Sequence, residues 1–308
     1  MTVPVLVGVD WGTTNARAYV LDAEGAILAQ TDEHAGNAHG IMHIKGGDFP
    51  GALEQLLEAL PTELPPDVPI LLSGMITSRQ GWVETAYVDC PASLADVAEA
   101  AERQVIEDRT LIFAPGLTYE DEKGVHDVMR GEELQILGLL ASGGGDGTHC
   151  LPGTHSKWAW TGDGRIQRFS TVMTGEVYAA LCNHTILGRL MGARTHHPEA
   201  FAQGAARARE GGYVLHDIFA ARTEGLFERL RPDAIAAYLS GLLIGHEVAA
   251  MAAAARLEPG SQVTVIGGAP LAERYGTVLK AAGFNPVLRS DPVVTRGHLE
   301  LARAMGAI

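Results

Sequence analysis

Cysteine is scarce in this chain of 308 residues. The three copies, Cys90, Cys150 and Cys182, are odd in number and lack the paired spacing of a metal ribbon. That excludes a disulfide framework and a thiolate zinc site, and the thiols read as reduced. Basic residues are also few, with 23 Lys and Arg against 37 Asp and Glu, a formal charge of −14. Such a balance disfavours a broad grip on nucleic acid or on an anionic membrane surface, although a local basic pocket is still allowed. The amino-terminal stretch has neither a basic leader nor a small-residue cleavage pattern, so no signal peptide and a cytoplasmic location are expected. An uncharged run long enough for lipid is missing too: residues 235–257 are apolar but carry His246, Glu247 and Arg256. Those are costly in a bilayer, and the Gly, Ala and Ser content points instead to a closely packed buried helix.

What the chain does have is the composition of a folded protein, 46% hydrophobic and 19% charged, at a length suited to one large or two mid-sized domains. Residues 5–9 form a short apolar run that predicts a buried strand, followed by the turn Asp10-Trp11-Gly12-Thr13-Thr14 and two further strands at 16–21 and 26–31. A helix is predicted at 51–60, ended by Pro61, with strands at 69–73 and 109–113. The apolar spacing then changes to a helical period at 131–141, which the Gly143-Gly144-Gly145 run terminates. A second hairpin follows, 155–160 and 165–170 around a Gly-Asp-Gly turn. Later segments read as mostly helical, interrupted by strands at 263–266 and 286–288. The shared plan of a hairpin entered through a Gly-Thr turn in each half implies two related lobes, 1–128 and 129–294. A closing helix near 295–308 could pack back onto the first.

Three turns carry chemistry. Amides around Gly12 with the hydroxyls of Thr13 and Thr14, next to Asn15, can accept a phosphate, while Asp10 can hold the accompanying magnesium, usually through water. Neither a Walker A loop nor GxGxxG is present, so the grip is of another kind. The alternative is an ordinary polar hairpin tip. In the second half Gly153 and Thr154 form the counterpart turn, with His155 and Lys157 able to meet an anion or else to serve as a structural imidazole and a solvated strand residue. Gly267, Gly268 and Ala269 follow a buried strand and open a helix, where two glycines let backbone approach a flat ligand closely.

In this order DWGTTN (10–15), PGTHSKW (152–158) and IGGAP (266–270) resemble the actin, hexokinase and chaperone-ATPase superfamily. Together with SGMITSRQGW (73–82), VMRGEELQ (128–135), TVMTGE (171–176) and LSGLLIGHEVA (239–249), they resemble the 2-dehydro-3-deoxygalactonokinase family over nearly the whole chain. That resemblance implies an α/β fold of two ribonuclease H-like lobes with an ATP cleft between them. It also implies ATP and Mg2+ as ligands, and transfer of the γ-phosphate to the 6-hydroxyl of 2-dehydro-3-deoxy-D-galactonate by in-line displacement.

Such a reaction needs phosphate grips, an aligned alcohol and a base. Similar kinases carry a Gly-Asp pair at the start of the second lobe's first helix. Here the matching position after Gly131 is Glu132, so the resemblance points to Glu132 as the base, with Asp10 and Asp127 still open and Arg130 beside them as a partner for substrate or transferred phosphate. The acids at 132 and 133 could equally just complement the helix dipole. For the substrate carboxylate the cations Arg17, Arg79, Arg130, His155 and Lys157 are candidates, unranked. Thr174 and Glu176 offer groups for substrate hydroxyls, or simply a helix start. His196 and His197 read as loop residues, lacking a third ligand at useful spacing. A homodimer stays open, as do a kinase of another polyol or keto sugar acid and a non-catalytic ATP-dependent filament switch.

Overall fold

The structure, a computed structural model, describes residues 3–31, 40–106, 108–289 and 292–308. The fold is mixed α/β, and the chain divides into two compact units. Unit 1 comprises 1–146, 159–169 and 292–308; unit 2 comprises 147–158 and 170–291.

Unit 1 begins with β1 (Leu6–Trp11), β2 (Ala16–Leu21) and β3 (Ile27–Gln30), then α1 (Phe49–Glu58) and β4 (Ile70–Gly74). It continues through β5 (Tyr87–Asp89), α2 (Leu94–Ala100), β6 (Glu102–Ile106), β7 (Arg109–Phe113), β8 (Gly116–Glu120), β9 (His126–Met129) and α3 (Glu132–Ala141). Its main sheet has the order β3-β2-β1-β4-β7-β6. Parallel pairing of β1 with β4 and of β4 with β7 places the apolar runs LVGVDW and ILLSG at the centre, buried almost throughout. The small sheet β5-β8-β9 stands apart. Sequence reasoning does not find its strands, because they are short and partly exposed on both faces and show no clean alternation.

Unit 2 is built from β10 (Thr148–Leu151), β11 (Ser156–Gly162), β12 (Arg165–Val172), α4 (Thr174–His184), α5 (Pro198–Arg209), α6 (Val214–Asp217), α7 (Ala220–Leu226), α8 (Ile235–Ala255), β13 (Gln262–Ile266), α9 (Ala269–Ala281) and β14 (Asn285–Arg289). Its sheet runs β12-β11-β10-β13-β14, with β10, β13 and β14 parallel. Counted along the chain, the main sheet of unit 2 runs third, second, first, fourth, fifth, and that of unit 1 repeats this order once its extra edge strand β6 is set aside. The β11–β12 hairpin turns on Asp163 and Gly164, both at positive φ, as a two-residue turn matched to strand twist requires. Residues 159–169 of that hairpin group with unit 1, where Ile166 bridges Ala92.

The chain ends in α10 (Val294–Ala304), which belongs to unit 1. The boundary expected after residue 128 lies instead after 146, and the physical reason is α3. This helix packs on α10 backbone to backbone: a Cβ at Gly138 would stand 2.3 Å from the Val293 carbonyl oxygen, and one at Gly297 would stand 2.1 Å from that of Leu134. Two glycines allow the approach, and they tie α3 to the unit that holds the amino terminus. Unit 2 uses the same device, α5 and α8 meeting at Gly204 and Gly241. By length and composition α8 alone among the described helices could cross a membrane, yet 72% of its apolar window is buried inside the protein.

Candidate active-site residues in each unit

In unit 1 the end of β1 is the natural starting point. Strand register sets Asp10 opposite Arg17 on β2 and beside Ser73 on β4. The turn that follows is tight, the Gly12 amide donating to the Asn15 carbonyl at 2.8 Å. Amides of Ile41, Met42 and Gly40 cap the carbonyls of Gly12, Thr13 and Thr14. Its acceptors are therefore occupied, and Thr13, Thr14 and Asn15 present an exposed, donor-rich edge of the kind that takes an anion.

Behind the turn lies a backbone contact that only glycine permits. Gly74 ends β4 at φ 85 and Gly131 precedes α3 at φ 108, both in the left-handed region. A Cβ at Gly131 would lie 3.1 Å from Gly74 Cα and 3.8 Å from Asp10 Oδ1. The first turn of α3 is thereby pressed against Asp10. Loss of solvent and the nearby charge of Glu132 push the Asp10 carboxyl up to about 6, with Arg17 pulling the other way. Among the described residues no donor hydrogen-bonds to the Asp10 carboxylate.

Glu132 and Glu133 have different fates. Glu132 accepts from the Arg130 amide through Oε2 at 3.1 Å and stays partly accessible. Glu133 turns inward, is fully buried and accepts from the Gly131 amide with both oxygens, at 2.9 and 2.7 Å. Burial and the neighbouring Glu132 charge raise its carboxyl to about 8. A carboxylate whose folded-state value is raised favours the folded state while protonated, so its stabilising share is full below the unfolded value of 4.5 and is lost as pH climbs through 8. Glu133→Gln keeps an acceptor for Gly131 and removes the charge. We expect this variant to unfold at higher denaturant than wild type at pH 8.5 and to match it at pH 4.5, by equilibrium denaturation of the ligand-free proteins.

Arg130 is engaged through both terminal nitrogens of its guanidinium, while its Nε is buried without a hydrogen-bond partner among the described residues. Nη1 donates to the Thr77 hydroxyl at 2.8 Å and to the Thr85 hydroxyl at 2.6 Å, and Nη2 donates to the Thr85 carbonyl at 3.0 Å. The group lies 4.3 Å from the ring centre of Tyr87. Thr85 and Tyr87 lie outside every block read from the sequence, and Thr77, inside SGMITSRQGW, had no role of its own there. Arg79 sits exposed in the loop between those threonines and makes no hydrogen bond or ion pair among the described residues. Asp127 accepts through Oδ1 from its neighbour's amide at 2.8 Å, on β9.

In unit 2 the turn from β10 to β11 holds Gly153 with exposed Thr154 and His155. The start of α4 lies directly on it: the Glu176 amide donates to the Thr154 carbonyl at 2.9 Å, and a Cβ at Gly175 would meet the Gly153 carbonyl at 2.4 Å. His155 pairs with Glu176 at the surface. Lys157 is 6% exposed in β11, so a solvated strand position is not where it stands. Thr174 faces inward, its hydroxyl bonding Glu247.

Glu247 is the feature that the sequence reading noticed only as a charge unsuited to lipid. It is nearly buried in mid-α8 and accepts from Trp158 Nε1 at 2.8 Å and from the Tyr275 hydroxyl at 2.6 Å, while Tyr275 also meets the Ser156 hydroxyl at 2.9 Å. Burial pushes the Glu247 carboxyl up, and the hydrogen bonds oppose that shift. One carboxylate thus ties together β11, α4, α8 and α9.

The Gly267-Gly268-Ala269 turn opens α9, and no atom would meet a Cβ at Gly268 within 4 Å. A cavity of about 580 Å³ adjoins this helix, lined by Tyr178, Arg194, His196, His197, Arg274 and Thr277 among others. An aromatic ring, apolar helix faces and two arginines suit a flat nitrogenous base with its sugar. His197 meets Asp233 at 3.3 Å, and no cluster of three metal-type side chains occurs among the described residues.

Comparison with known proteins gives a consistent result. Residues 10–301 match the family model described as 2-keto-3-deoxy-galactonokinase. The chain is 35% identical to a probable 2-dehydro-3-deoxygalactonokinase of Rhizobium meliloti, over 96% of each chain. It is 30% identical to the 2-dehydro-3-deoxygalactonokinase of Escherichia coli K12, over 97% of this chain and 98% of that one. A solved structure of a Sinorhizobium meliloti protein, provisionally given the same kinase name, superimposes with a TM-score of 0.87 at 34% identity, covering 98% of this chain and all of the other.

Proposed function

The chain belongs to the 2-keto-3-deoxy-galactonokinase family, and from this premise we propose that it transfers the γ-phosphoryl group of ATP to the 6-hydroxyl of 2-dehydro-3-deoxy-D-galactonate. It is a carbohydrate kinase. The observation that carries the reading is the extent of the family match, which starts at Asp10, the first candidate site residue, and runs past the Gly267-Gly268 turn. The finer fold reading is the actin-type arrangement of two ribonuclease H-like lobes, supported by the strand order that both main sheets repeat. A cytoplasmic location accords with the reduced thiols.

In this reading the turn at Gly12, Thr13, Thr14 and Asn15 and the turn at Gly153 and Thr154 supply amides and hydroxyls to the phosphates, which carry their charge to donors already fixed in place. Gly267, Gly268 and Ala269 receive the adenosine, with its base in the adjoining cavity. Glu132 takes the proton of the attacking hydroxyl. A purified preparation should release ADP in a coupled assay with this keto acid and not with other sugar acids of a panel. Slow turnover indifferent to the acid added would overturn the proposal.

The donor set fits Mg2+. This ion takes one or two carboxylates and leaves its other positions to water and phosphate oxygens, so a three-ligand protein cluster is not required. Asp10 offers a carboxylate with no hydrogen-bond donor and with a second acid close by, a combination that calls for a cation. Magnesium there would neutralise phosphate charge and orient the transferred group. Because proton and cation compete for the Asp10 carboxyl, raised to about 6, its share of the Mg2+ affinity is full above that value and declines below it. Calorimetric titration of MgCl2 into the protein with a non-hydrolysable ATP analogue, from pH 5 to 7.5, should show an acid loss that Asp10→Asn abolishes. Equal pH dependence in both proteins would remove Asp10 from the metal site.

A further inference from the structure

We propose that Arg79 receives the carboxylate of the substrate and that Arg130, which touches no ligand, is the positioning residue that holds the Arg79 loop in place. The inference rests on the kinase reading above and deepens it by naming what selects an acid. Five cations were equal candidates by sequence. The structure separates them by what each is already doing. His155 is paired with Glu176 and Lys157 is buried within a strand of unit 2. Arg17 stands opposite Asp10, whose carboxyl it pulls downward. Arg130 gives three hydrogen bonds to Thr77 and Thr85 and stacks on Tyr87. Only the Arg79 guanidinium, of these five, is both exposed and without a hydrogen bond or ion pair among the described residues.

The loop that carries Arg79 is stiff everywhere except at its tip. Ile76 and Thr77 are fully buried, and the Thr77 hydroxyl donates to the Gly74 carbonyl at 3.1 Å, one residue from the contact with Asp10. The Ser78 hydroxyl donates to the Met75 carbonyl at 2.7 Å, the Trp82 amide to the Ile76 carbonyl at 2.7 Å and the Thr85 amide to the Thr77 carbonyl at 3.1 Å. Trp82 stands edge-on to Phe113, ring centres 5.7 Å apart. A cation at the tip of such a loop loses little freedom when it meets its anion, and a guanidinium presents two parallel donors to a planar 2-keto carboxylate. Arg130 closes the loop from outside by gripping both threonines, and its own backbone amide holds Glu132. The same segment therefore orients the acid-binding loop and the proposed base, all within unit 1.

The test compares the keto acid with its neutral C1 amide, by calorimetric binding and by kinetics. Wild type should prefer the acid by about 100-fold, the size of a good charged bidentate pair. Arg79→Met should erase that preference while KM for ATP stays within about twofold, and Arg79→Lys should restore only part of it. Arg130→Lys should weaken the preference by loosening the loop, with faster amide hydrogen exchange at 77–85 in the ligand-free protein, an effect that Arg79→Met should not produce. An Arg79→Met protein that still prefers the acid overturns the assignment, and so does an Arg130→Lys protein with unchanged exchange at 77–85. If wild type binds the acid over the amide but releases no ADP, the kinase reading fails while the Arg79 assignment is still decided by the binding data.

Discussion

Glu132→Gln is expected to lower kcat by about 10²- to 10⁴-fold, the usual worth of a positioned general base, with ATP affinity nearly unchanged. The substitution is close to isosteric. Its carbonyl oxygen can still accept from the Arg130 amide, a bond of 3.1 Å in the native protein, so the first turn of α3 keeps its local geometry. What disappears is the second, free oxygen and its capacity to take a proton. Single-turnover phosphoryl transfer isolates this step from binding and release.

The two competing acids predict different phenotypes. Asp10 sits against Gly74 and Gly131 with its carboxyl raised to about 6, and its removal should appear first as weaker Mg2+ affinity. Asp127 bonds the adjacent strand amide at 2.8 Å, so Asp127→Asn should stay within about threefold of wild type, as expected for a residue outside the reacting atoms. A Glu132→Gln enzyme with more than a tenth of native kcat would transfer the role of base to Asp10. Glu132 has the better claim because it heads a helix, where the backbone amides point toward an incoming anion, and because its neighbour Glu133 takes over the structural work at Gly131.

How far the sequence carried these residues differs between local and distant features. Strands that are apolar on both faces and bounded by turn residues were legible: β2 and β7 occupy the expected residues, and β1 and β4 deviate by one or two. The turn at residues 12–15 and the Gly267-Gly268 turn were also legible as turns, since in each a buried apolar strand runs into glycine. Strand β10 was not found, although it is a parallel strand next to β13, because four buried residues after a glycine-rich stretch show no period. The Arg130 clamp was invisible for another reason. Its partners lie 45 and 53 residues away along the chain, and no spacing rule connects an arginine to two particular threonines at that separation. Long-range polar pairing is set by topology, which only the fold reveals.

Glu247 is the extreme case of such pairing, and Glu247→Ala should produce the largest loss of stability of any single change in unit 2. The truncation leaves a cavity in mid-α8 and strips the acceptor from Trp158, Tyr275 and Thr174 together. Cavity and unsatisfied donors combine to a cost of about 3 to 5 kcal/mol. Glu247→Gln should behave oppositely with pH. Burial raises the native carboxyl, so the charged form weighs against folding, and wild type loses stability as pH rises through the raised value whereas the neutral amide does not. Denaturation followed upward from pH 4.5, the ordinary value, should therefore show the Gln variant gaining on wild type as pH rises, and a difference constant over the whole range would contradict a raised carboxyl. The functional consequence follows from what Glu247 joins. Its partners sit on β11 after the Gly153 turn, at the head of α4 and on α9 after the Gly267-Gly268 turn, so the Ala variant should raise KM for ATP by about tenfold or more, a loss of about 1.4 kcal/mol in binding. The Arg79 loop belongs to unit 1 and should keep its preference for the acid over the amide. Tyr275→Phe removes one bond of the same network, and its double-mutant cycle with Glu247→Gln should return a coupling of about 0.5 to 3 kcal/mol. A coupling near zero would mean that the carboxylate holds α9 through packing alone, and the nearly isosteric Gln variant should then keep the wild-type KM for ATP.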